Sequence, residues 1–320
     1  MRRSDASIKT DTKNDARATL ANGATTPRDH ATAQEVADES DTSHARDTTA
    51  TNDTTWADNT GQTSDTSPTD APRTAPPRPP TLVNYLHSLV AIPLIHLYTI
   101  VMGTLSLAVS VFDPRGRRQH WCAQTWCRMI ARTTLTRVRV HGAEHVRPGA
   151  SYVFLSTHQS WMDIPVMLGY LPAQLRIAAK KEVFKIPFLG WHMRRGGHIP
   201  IDRASTDDAV ATLKRAAGGI SDGICAFIFP EGTRSRDGAL QPFKKGGFKL
   251  ALQAGVPIIP VTIVGTRQVL PRDSIIFRRG AVDMYIDAPI PTANLGDDSL
   301  PFLMEAVRAK MASHFNDSQD

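Results

Sequence analysis

The sequence is poor in cysteine, with only Cys122, Cys127 and Cys225 among its 320 residues. Three cysteines without a Cys-x-x-Cys pair argue against a disulfide framework and against a cysteine-based zinc site. A His-Glu-x-x-His segment is also missing. A metal hydrolase that uses His158, Asp163 and Asp202 is therefore a poor interpretation, which a metal-content measurement would test.

Residues 1–80 have almost no aliphatic runs and are dominated by Thr, Asp, Ala and Ser. Such a segment buries too little apolar surface to offset its ordering entropy, so we expect a disordered, dispensable tail. Its net charge is negative, whereas residues 81–320 are strongly basic within a chain of net charge +6. A basic body favours an anionic partner such as phospholipid, a phosphorylated substrate or nucleic acid.

Residues 82–112 contain no charged side chain. As one helix they would extend roughly 46 Å, against about 30 Å for the hydrocarbon core of a bilayer. Pro93 divides the run, so a membrane helix or a helical hairpin is expected. Whether the run spans the membrane or lies in its interface stays open.

The stretch between Asp113 and Glu144 has no acidic residue but seven arginines. This bias predicts that it faces the cytoplasm, on the inner (plasma) membrane of a bacterium. Trp121, Trp126 and Ile130 would share one helical face, either against anionic lipid or packed on the domain.

From residue 136 onward short apolar runs alternate with helical stretches, which predicts an α/β domain with a mixed, mostly parallel sheet. The predicted strands are 137–140, 152–155, 176–179, 224–229, 258–264 and 282–286. The predicted helices are 162–171, 205–220, 244–254 and 299–314. The predicted organisation is a tail (1–80), a membrane-associated helical segment (81–135) and an α/β domain (136–320).

His158 and Asp163 follow the apolar run 152–155 directly. A histidine at the end of a strand, five positions from a carboxylate, is typical of a general base held by an acid. A surface or capping histidine would give the same six residues.

A second polar segment, 229–235, also leaves the end of a predicted strand and reads Phe-Pro-Glu-Gly-Thr-Arg-Ser. Gly232 permits a tight turn, Thr233 can donate a hydrogen bond, and Arg234 can bind phosphate with two bonds. Alone, the segment is also ordinary turn chemistry.

Two further segments complete the pattern. Residues 196–203 combine two glycines with Arg203, which suits an anion or a plain bend before a strand. Residues 256–261 read as a buried strand whose prolines mark its entry and an edge.

The four segments in this order resemble the PlsC-type 1-acyl-sn-glycerol-3-phosphate acyltransferases over residues 80–290. The resembling blocks are His158-x4-Asp163, Gly197–Arg203 (with His198 and Pro200 in place of commoner residues), Phe229–Ser235 and Val256–Val261.

The resemblance implies transfer of a fatty acyl group from acyl-CoA or acyl-carrier protein to the sn-2 hydroxyl of lysophosphatidate, which gives phosphatidate. His158 would take the hydroxyl proton and Asp163 would stabilise the imidazolium. The residues that would hold the glycerol phosphate are Gly197, Arg203, Glu231, Gly232, Thr233 and Arg234.

The resemblance implies no metal and no cofactor beyond the acyl donor. Cys225 lies within an apolar run, so we expect direct attack by the acceptor hydroxyl and no acyl-enzyme. The expected partners are lysophosphatidate, the acyl donor and anionic membrane lipid. Few aromatic residues lie among the basic ones, so we expect no nucleic-acid partner. The alternatives are an acyltransferase for another lysolipid, such as an ornithine-lipid precursor or a lysophospholipid, and a non-catalytic membrane-bound scaffold.

Overall fold

The apolar runs predicted as strands assemble into one sheet. The computed structural model describes residues 72–202 and 206–317. Within these ranges the strands are β1 (Thr136–His141), β2 (Val153–Ser156), β3 (Gln174–Lys180), β4 (Ile199–Ile201), β5 (Ile224–Ile228), β6 (Ile258–Val264) and β7 (Gly280–Ile286). The six predicted strands are present, and the short β4 is the strand that one interpretation of residues 196–203 placed there.

The helices of the described residues flank this sheet. They are α1 (Leu82–Ser110), α2 (Arg117–Thr133), α3 (Asp163–Tyr170), α4 (Leu189–Arg195), α5 (Thr206–Ala217), α6 (Gly246–Ala254), α7 (Thr266–Val269) and α8 (Leu300–Asp317). The four helices predicted in the α/β domain correspond to α3, α5, α6 and α8. The additional helices α4 and α7 have only seven and four residues, too few to show helical periodicity.

The sheet is mixed and mostly parallel, as predicted. Its strand order is β1-β7-β6-β2-β5-β3-β4, and only the β6–β7 pair is antiparallel. The strands from β6 to β4 therefore all end at the same edge. Because β2 and β5 are neighbours, the polar segments that follow them meet there, where open α/β sheets bind ligands.

Alternate side chains of the central strands pack into two separate cores. Phe154 and Phe227 are fully buried on the face that α2 and α3 cover. Val153 and Ala226 are buried on the opposite face, against α6 and α8. Burial on both faces explains why these strands read as continuous apolar runs in the sequence.

The uncharged segment forms one helix, not a hairpin, because α1 continues through Pro93. It pairs instead with α2, and residues 111–116 connect the two. The His87 ring donates to the Thr133 carbonyl at 2.8 Å, and the Trp126 indole donates to the Thr99 hydroxyl at 3.1 Å. These contacts make α1 and α2 antiparallel.

The prediction that Trp121, Trp126 and Ile130 share one face of α2 is wrong. Ile130 is 5% exposed and belongs to the core, whereas Trp121 is 58% exposed. Cys122 and Cys127 are buried on the packed side of the helix. Of the two alternatives for α2, the structure shows the helix packed on the domain.

The expectation for the tail needs a correction at its end. Residues 72–80 do not behave as an unattached tail, because Thr74 is 8% exposed and pairs with the loop after β5. Residues 1–71 lie outside the described residues. The boundaries at 80 and 135 stay predictions, although α2 ends at Thr133 and β1 begins at Thr136.

Pro260 does not mark a sheet edge, because β6 pairs with both β2 and β7. Its carbonyl accepts a hydrogen bond from the Asp287 amide at 3.0 Å, one residue beyond the end of β7. A strand residue presents its amide and its carbonyl to the same neighbouring strand. The amide that Pro260 lacks would therefore point toward Asp287, just beyond the paired residues of β6 and β7. The proline therefore removes no bond between paired strands.

Candidate active site

The structure brings together the two residues predicted to carry the chemistry. His158 lies two residues beyond β2, and Asp163 is the first residue of α3. The His158 Nδ1–H donates to Asp163 Oδ2 at 2.8 Å. Nε2 is then the unprotonated ring nitrogen. His158 is 8% exposed and lines a cavity, so its basic nitrogen is available to a bound hydroxyl.

The tight loop before α3 fixes the carboxylate. Asp163 Oδ2 also accepts the backbone amides of Gln159 and Ser160, each at 2.8 Å. Asp163 Oδ1 accepts the hydroxyl of Thr266 at 2.5 Å. With 1% exposure and four donors, the carboxylate has one orientation and cannot rotate away from the imidazole.

The imidazole is held on its other side by an aromatic ring. Phe229 stacks on His158 with ring centroids 3.6 Å apart and 12° between the planes. Phe229 directly follows β5, the neighbour of β2. The adjacent strand ends therefore place a flat apolar surface beneath the base.

Glu231, a substrate-binding residue by the family resemblance, is not among the residues that line the cavity. It is 4% exposed, and its two oxygens accept the backbone amides of His158 at 2.6 Å and Gln241 at 3.0 Å. Burial raises the pKa of Glu231 to about 8. The geometry gives this side chain a positioning contact to the loop that carries His158.

The next three residues form the exposed part of the same turn. Gly232 has a φ of +72°, which favours glycine, and an added Cβ would lie 3.0 Å from the Lys244 side chain. Thr233 and Arg234 line the cavity together with His158. The predicted cluster of donors thus lies at the same cavity as the histidine.

Arg234 has a second arginine beside it that sequence reasoning missed. Its guanidinium lies 4.7 Å from the centre of the Trp161 ring and donates to the Arg272 carbonyl at 2.7 Å. The Arg272 guanidinium donates in return to the Arg234 carbonyl. Burial, with repulsion from Arg272, lowers the pKa of Arg234. Two neighbouring cations favour an anionic ligand. No motif surrounds Arg272, so only the fold reveals this pair.

The second block is not beside the histidine. Gly197 has a φ of +71° in the turn before β4, which lies three strands from β2, or about 14 Å along the sheet. The nearest atom to an added Cβ there would be Arg176 Nε. The assignment of Gly197 to substrate binding stays a prediction. Arg203 lies outside the described residues.

Residues 219–223 read Gly-x-Ser-x-Gly, the spacing found at serine nucleophile elbows. Here the segment connects α5 to β5, at the opposite edge of the sheet from His158. An elbow requires a strand followed by a helix, so Ser221 is not placed as a nucleophile.

An apolar cavity of about 470 Å³ opens from the His–Asp pair. Helices α1 to α4 and the end of β3 surround it, with Trp126, Met162, Leu168 and Met193 among its lining residues. Along α1 its wall extends from Ile95 to Ser106, about 16 Å of helix. This space has the polarity and length that suit a hydrocarbon chain.

Three buried histidines lie around the far part of this cavity. His192 Nδ1 shares a 2.5 Å hydrogen bond with the Ser106 hydroxyl, and His198 Nδ1 accepts the Ile177 amide at 2.9 Å. Burial lowers the pKa of His192 and of His120 to about 4, and lowers that of His198 as well. Burial and the nearby Arg176 guanidinium thus favour the neutral form of these three rings.

Comparison with protein families gives a match over one segment of the chain. Residues 137–264 match the family model described as Acyltransferase. This segment contains β1 to β6, the His–Asp pair and the Arg234 turn.

Two curated relatives narrow the similarity to the PlsC-type 1-acyl-sn-glycerol-3-phosphate acyltransferases, which confirms the resemblance predicted from the four motifs. The chloroplastic 1-acyl-sn-glycerol-3-phosphate acyltransferase BAT2 of Brassica napus is 34% identical over 211 residues, 65% of this chain and 59% of that protein. The human 1-acyl-sn-glycerol-3-phosphate acyltransferase alpha is 35% identical over 182 residues, 57% of this chain and 64% of that protein. The chain therefore spans less than two thirds of the length of these relatives.

A solved structure shares the fold. The crystal structure of the 1-acyl-sn-glycerophosphate (LPA) acyltransferase PlsC from Thermotoga maritima matches with a TM-score of 0.64 and 26% identity. The match covers 74% of this chain and 97% of that one.

Proposed function

We propose that this protein transfers a fatty acyl group from a thioester to the sn-2 hydroxyl of 1-acylglycerol 3-phosphate, which yields phosphatidate. The observation that carries the proposal is one cavity lined by His158, Arg234 and an apolar channel. A base, an anion site and space for a hydrocarbon chain are the three features that this reaction needs. The names of the relatives agree with the substrate.

The proposed step uses His158 as the general base. Its Nε2 takes the proton from the acceptor hydroxyl, and the hydroxyl oxygen attacks the thioester carbonyl. The carbon–sulfur bond then breaks, and the imidazolium returns the proton to the thiolate. Asp163 stabilises the transient imidazolium through the 2.8 Å hydrogen bond to Nδ1.

Arg234, Arg272 and Thr233 are proposed to hold the phosphate at the mouth of the cavity. Paired guanidiniums can fork onto phosphate oxygens, and the Thr233 hydroxyl adds a donor. Glu231 is assigned to positioning in this scheme, since its oxygens already accept two backbone amides. The acyl donor is proposed to be acyl-CoA or acyl-carrier protein, with no further cofactor.

The acyl chain of the donor is proposed to occupy the cavity between α1 and the sheet. The reacting carbonyl would lie at His158 and the hydrocarbon would point toward Ser106. Burying it there removes its apolar surface from water at roughly 25 cal/mol per Å².

The protein is associated with the membrane in this proposal through α1. This helix has the length and composition of a membrane span, and it is the one such helix within the described ranges. Both of its ends are nevertheless docked on the domain, since Ser88 accepts the Phe277 amide and Ser106 contacts His192. Crossing the bilayer would break these contacts, so we infer that α1 lies in the interface with its outer side in lipid.

The outer side of α1 is mostly apolar, with His96 and Thr104 as exposed polar side chains. Its exposed side chains include Leu82, Leu86, Leu89, Leu97, Ile100, Val101 and Leu105. Arg115, Arg117 and Arg118 are exposed just beyond α1, where they would meet anionic lipid. We propose the cytoplasmic face of the inner membrane. The relatives come from a plant, from human and from a bacterium, so a bacterial source stays a prediction.

A panel of lysolipid acceptors with acyl-CoA and acyl-carrier protein donors, read by mass spectrometry, tests the activity. We expect phosphatidate to form from lysophosphatidate, and no product from the same panel with the His158→Ala protein. Preferred acylation of an ornithine-lipid precursor or a lysophospholipid would replace the proposed acceptor. Failure of every acceptor would favour the non-catalytic scaffold.

A further inference from the structure

Residues 72–78, called the strap below, form an attachment outside the matched family segment. Arg73 pairs with Ala239 as an antiparallel bridge. The Thr74 amide donates to the Gly238 carbonyl at 3.1 Å, and the Leu240 amide donates to the Pro72 carbonyl at 3.2 Å. The strap thus adds a short stretch of backbone pairing to the loop that follows the Arg234 turn.

One side chain of the strap reaches the residue next to the proposed base. Thr74 Oγ1 donates to Gln159 Oε1 at 3.1 Å, and Gln159 Nε2 donates to the Gly238 carbonyl at 3.0 Å. Thr74 is 8% exposed and Gln159 is 2% exposed, so water does not compete for these bonds. The backbone amide of Gln159 also donates to Asp163. Gln159 therefore links the strap to the His–Asp pair.

The strap also contacts α7, the short helix on the opposite side of Asp163. Gln268 Nε2 donates to the carbonyls of Ala75 at 2.8 Å and Pro76 at 3.0 Å. Gln268 lies in α7 together with Thr266, which donates to Asp163 Oδ1. The strap thus contacts the residue that donates to Asp163 Oδ2 and the short helix whose Thr266 donates to Oδ1.

The composition and the fit of the strap agree with a permanent attachment. Pro72, Pro76 and Pro77 restrict the unattached chain, which lowers the entropy lost on docking. At Gly238, where φ is +85°, an added Cβ would lie 2.7 Å from Thr74 Oγ1. The loop therefore approaches the strap as closely as glycine allows.

We propose that the strap is a positioning element for acyl transfer, with Thr74 and Gln159 as its positioning residues. It holds the loop 158–163 so that His158 and Asp163 keep their orientation while the acceptor binds. This inference rests on the proposed function for its kinetic effect. Its mechanical part, the support of the loop, stands on the contacts alone.

The test compares point variants of the full chain. Thr74→Val keeps the shape but removes the donor to Gln159, and we expect kcat to fall about fivefold, the effect of one typical hydrogen bond. KM for lysophosphatidate should stay within a factor of two, because the strap does not touch the cavity. Thr74→Ser restores the hydroxyl and should restore kcat. Arg78→Ala is the matched control, since its exposed side chain leaves the backbone bond to Gln268 in place.

Amide hydrogen exchange of residues 157–163, measured without substrate, separates the two proposals. Thr74→Val should exchange about fivefold faster there than the wild type, with β5 and β6 unchanged. If the wild type were inactive but showed this exchange pattern, the proposed function would be contradicted, and the positioning role of the strap would be supported. If Thr74→Val had the same kcat and the same exchange rates as the wild type, the proposed role of the strap would be overturned. An equal rise of exchange in all elements would also overturn it, because the bond would then serve stability alone.

Discussion

The two walls of the cavity are built by different forces. The polar wall, residues 157–163 and 229–235, is held by hydrogen bonds, and Asp163 alone accepts four. The apolar wall, made by α1, α2 and α4, is held mainly by side-chain packing. A buried group that loses its hydrogen-bond partner costs about 1–3 kcal/mol, whereas volume-conserving apolar changes usually cost less than about 1.5 kcal/mol. The comparison predicts that changes in the polar wall impair turnover or acceptor binding, and that changes in the apolar wall alter selectivity.

The strongest test of the polar wall is His158→Ala. Removing a positioned general base should lower kcat by about 10²–10⁴-fold, while the fold persists because the backbone bond to Glu231 remains. Steady-state kinetics with lysophosphatidate would show the loss, and circular dichroism would confirm the fold. Asp163→Asn should be severely impaired as well, since an amide cannot stabilise the imidazolium. Near wild-type turnover in purified His158→Ala would contradict the mechanism.

Arg234→Lys tests whether the cationic part of the polar wall serves binding. A lysine keeps the charge but cannot fork onto phosphate or stack as a plane on Trp161. We expect KM for lysophosphatidate to rise roughly tenfold, the loss of about one charge-assisted hydrogen bond, with a smaller fall in kcat. Arg272→Lys should act in the same direction. An unchanged KM with a collapsed kcat would assign Arg234 to the chemical step instead.

Ala123→Phe tests the apolar wall. Ala123 lies on α2, lines the cavity and is 8% exposed. A phenyl ring in that space should exclude part of a long acyl chain, so the preference should shift several-fold toward shorter donors while His158 chemistry is unaffected. Overpacking costs typically about 1–3 kcal/mol, so thermal unfolding should be measured beside a donor-length series. Equal loss with all chain lengths would place the acyl chain elsewhere.

The sequence predicts the polar wall better than the apolar one, for a physical reason. His158, Asp163 and Arg234 follow apolar runs bounded by turn residues, so their places at the ends of strands can be inferred from the sequence. That β2 and β5 are neighbours is shown only by the structure. Arg272 joins Arg234 across 38 residues through a loop without periodicity, so no local pattern announces it. The role of Glu231 depends on which amides its oxygens meet, which residue type alone does not reveal. The cavity depends on how α1 packs, and its helical pattern fits a membrane helix equally well.

The smallest predicted effect concerns stability at the far end of the apolar wall. Burial lowers the pKa of His120 and of His192 from 6.5 to about 4. Below pH 6.5 the unfolded chain takes up protons that the folded protein takes up only near pH 4. The contribution of these two histidines to the free energy of unfolding is therefore fully present above about pH 6.5. It is lost as the pH falls toward 4.

Thermal unfolding from pH 4 to pH 8 would show this as a midpoint that declines only on the acid side. His192→Asn keeps an acceptor for the Ser106 hydroxyl but does not titrate. Between pH 8 and pH 4 this variant should therefore lose less of its free energy of unfolding than the wild type, by roughly 1–3 kcal/mol. His96→Gln is the control, because the His96 side chain is exposed on α1. If His192→Asn declined as steeply as the wild type, the acid sensitivity would have to come from elsewhere. The neutral rings would then be a consequence of packing at this end of the cavity, without a measurable share in its stability.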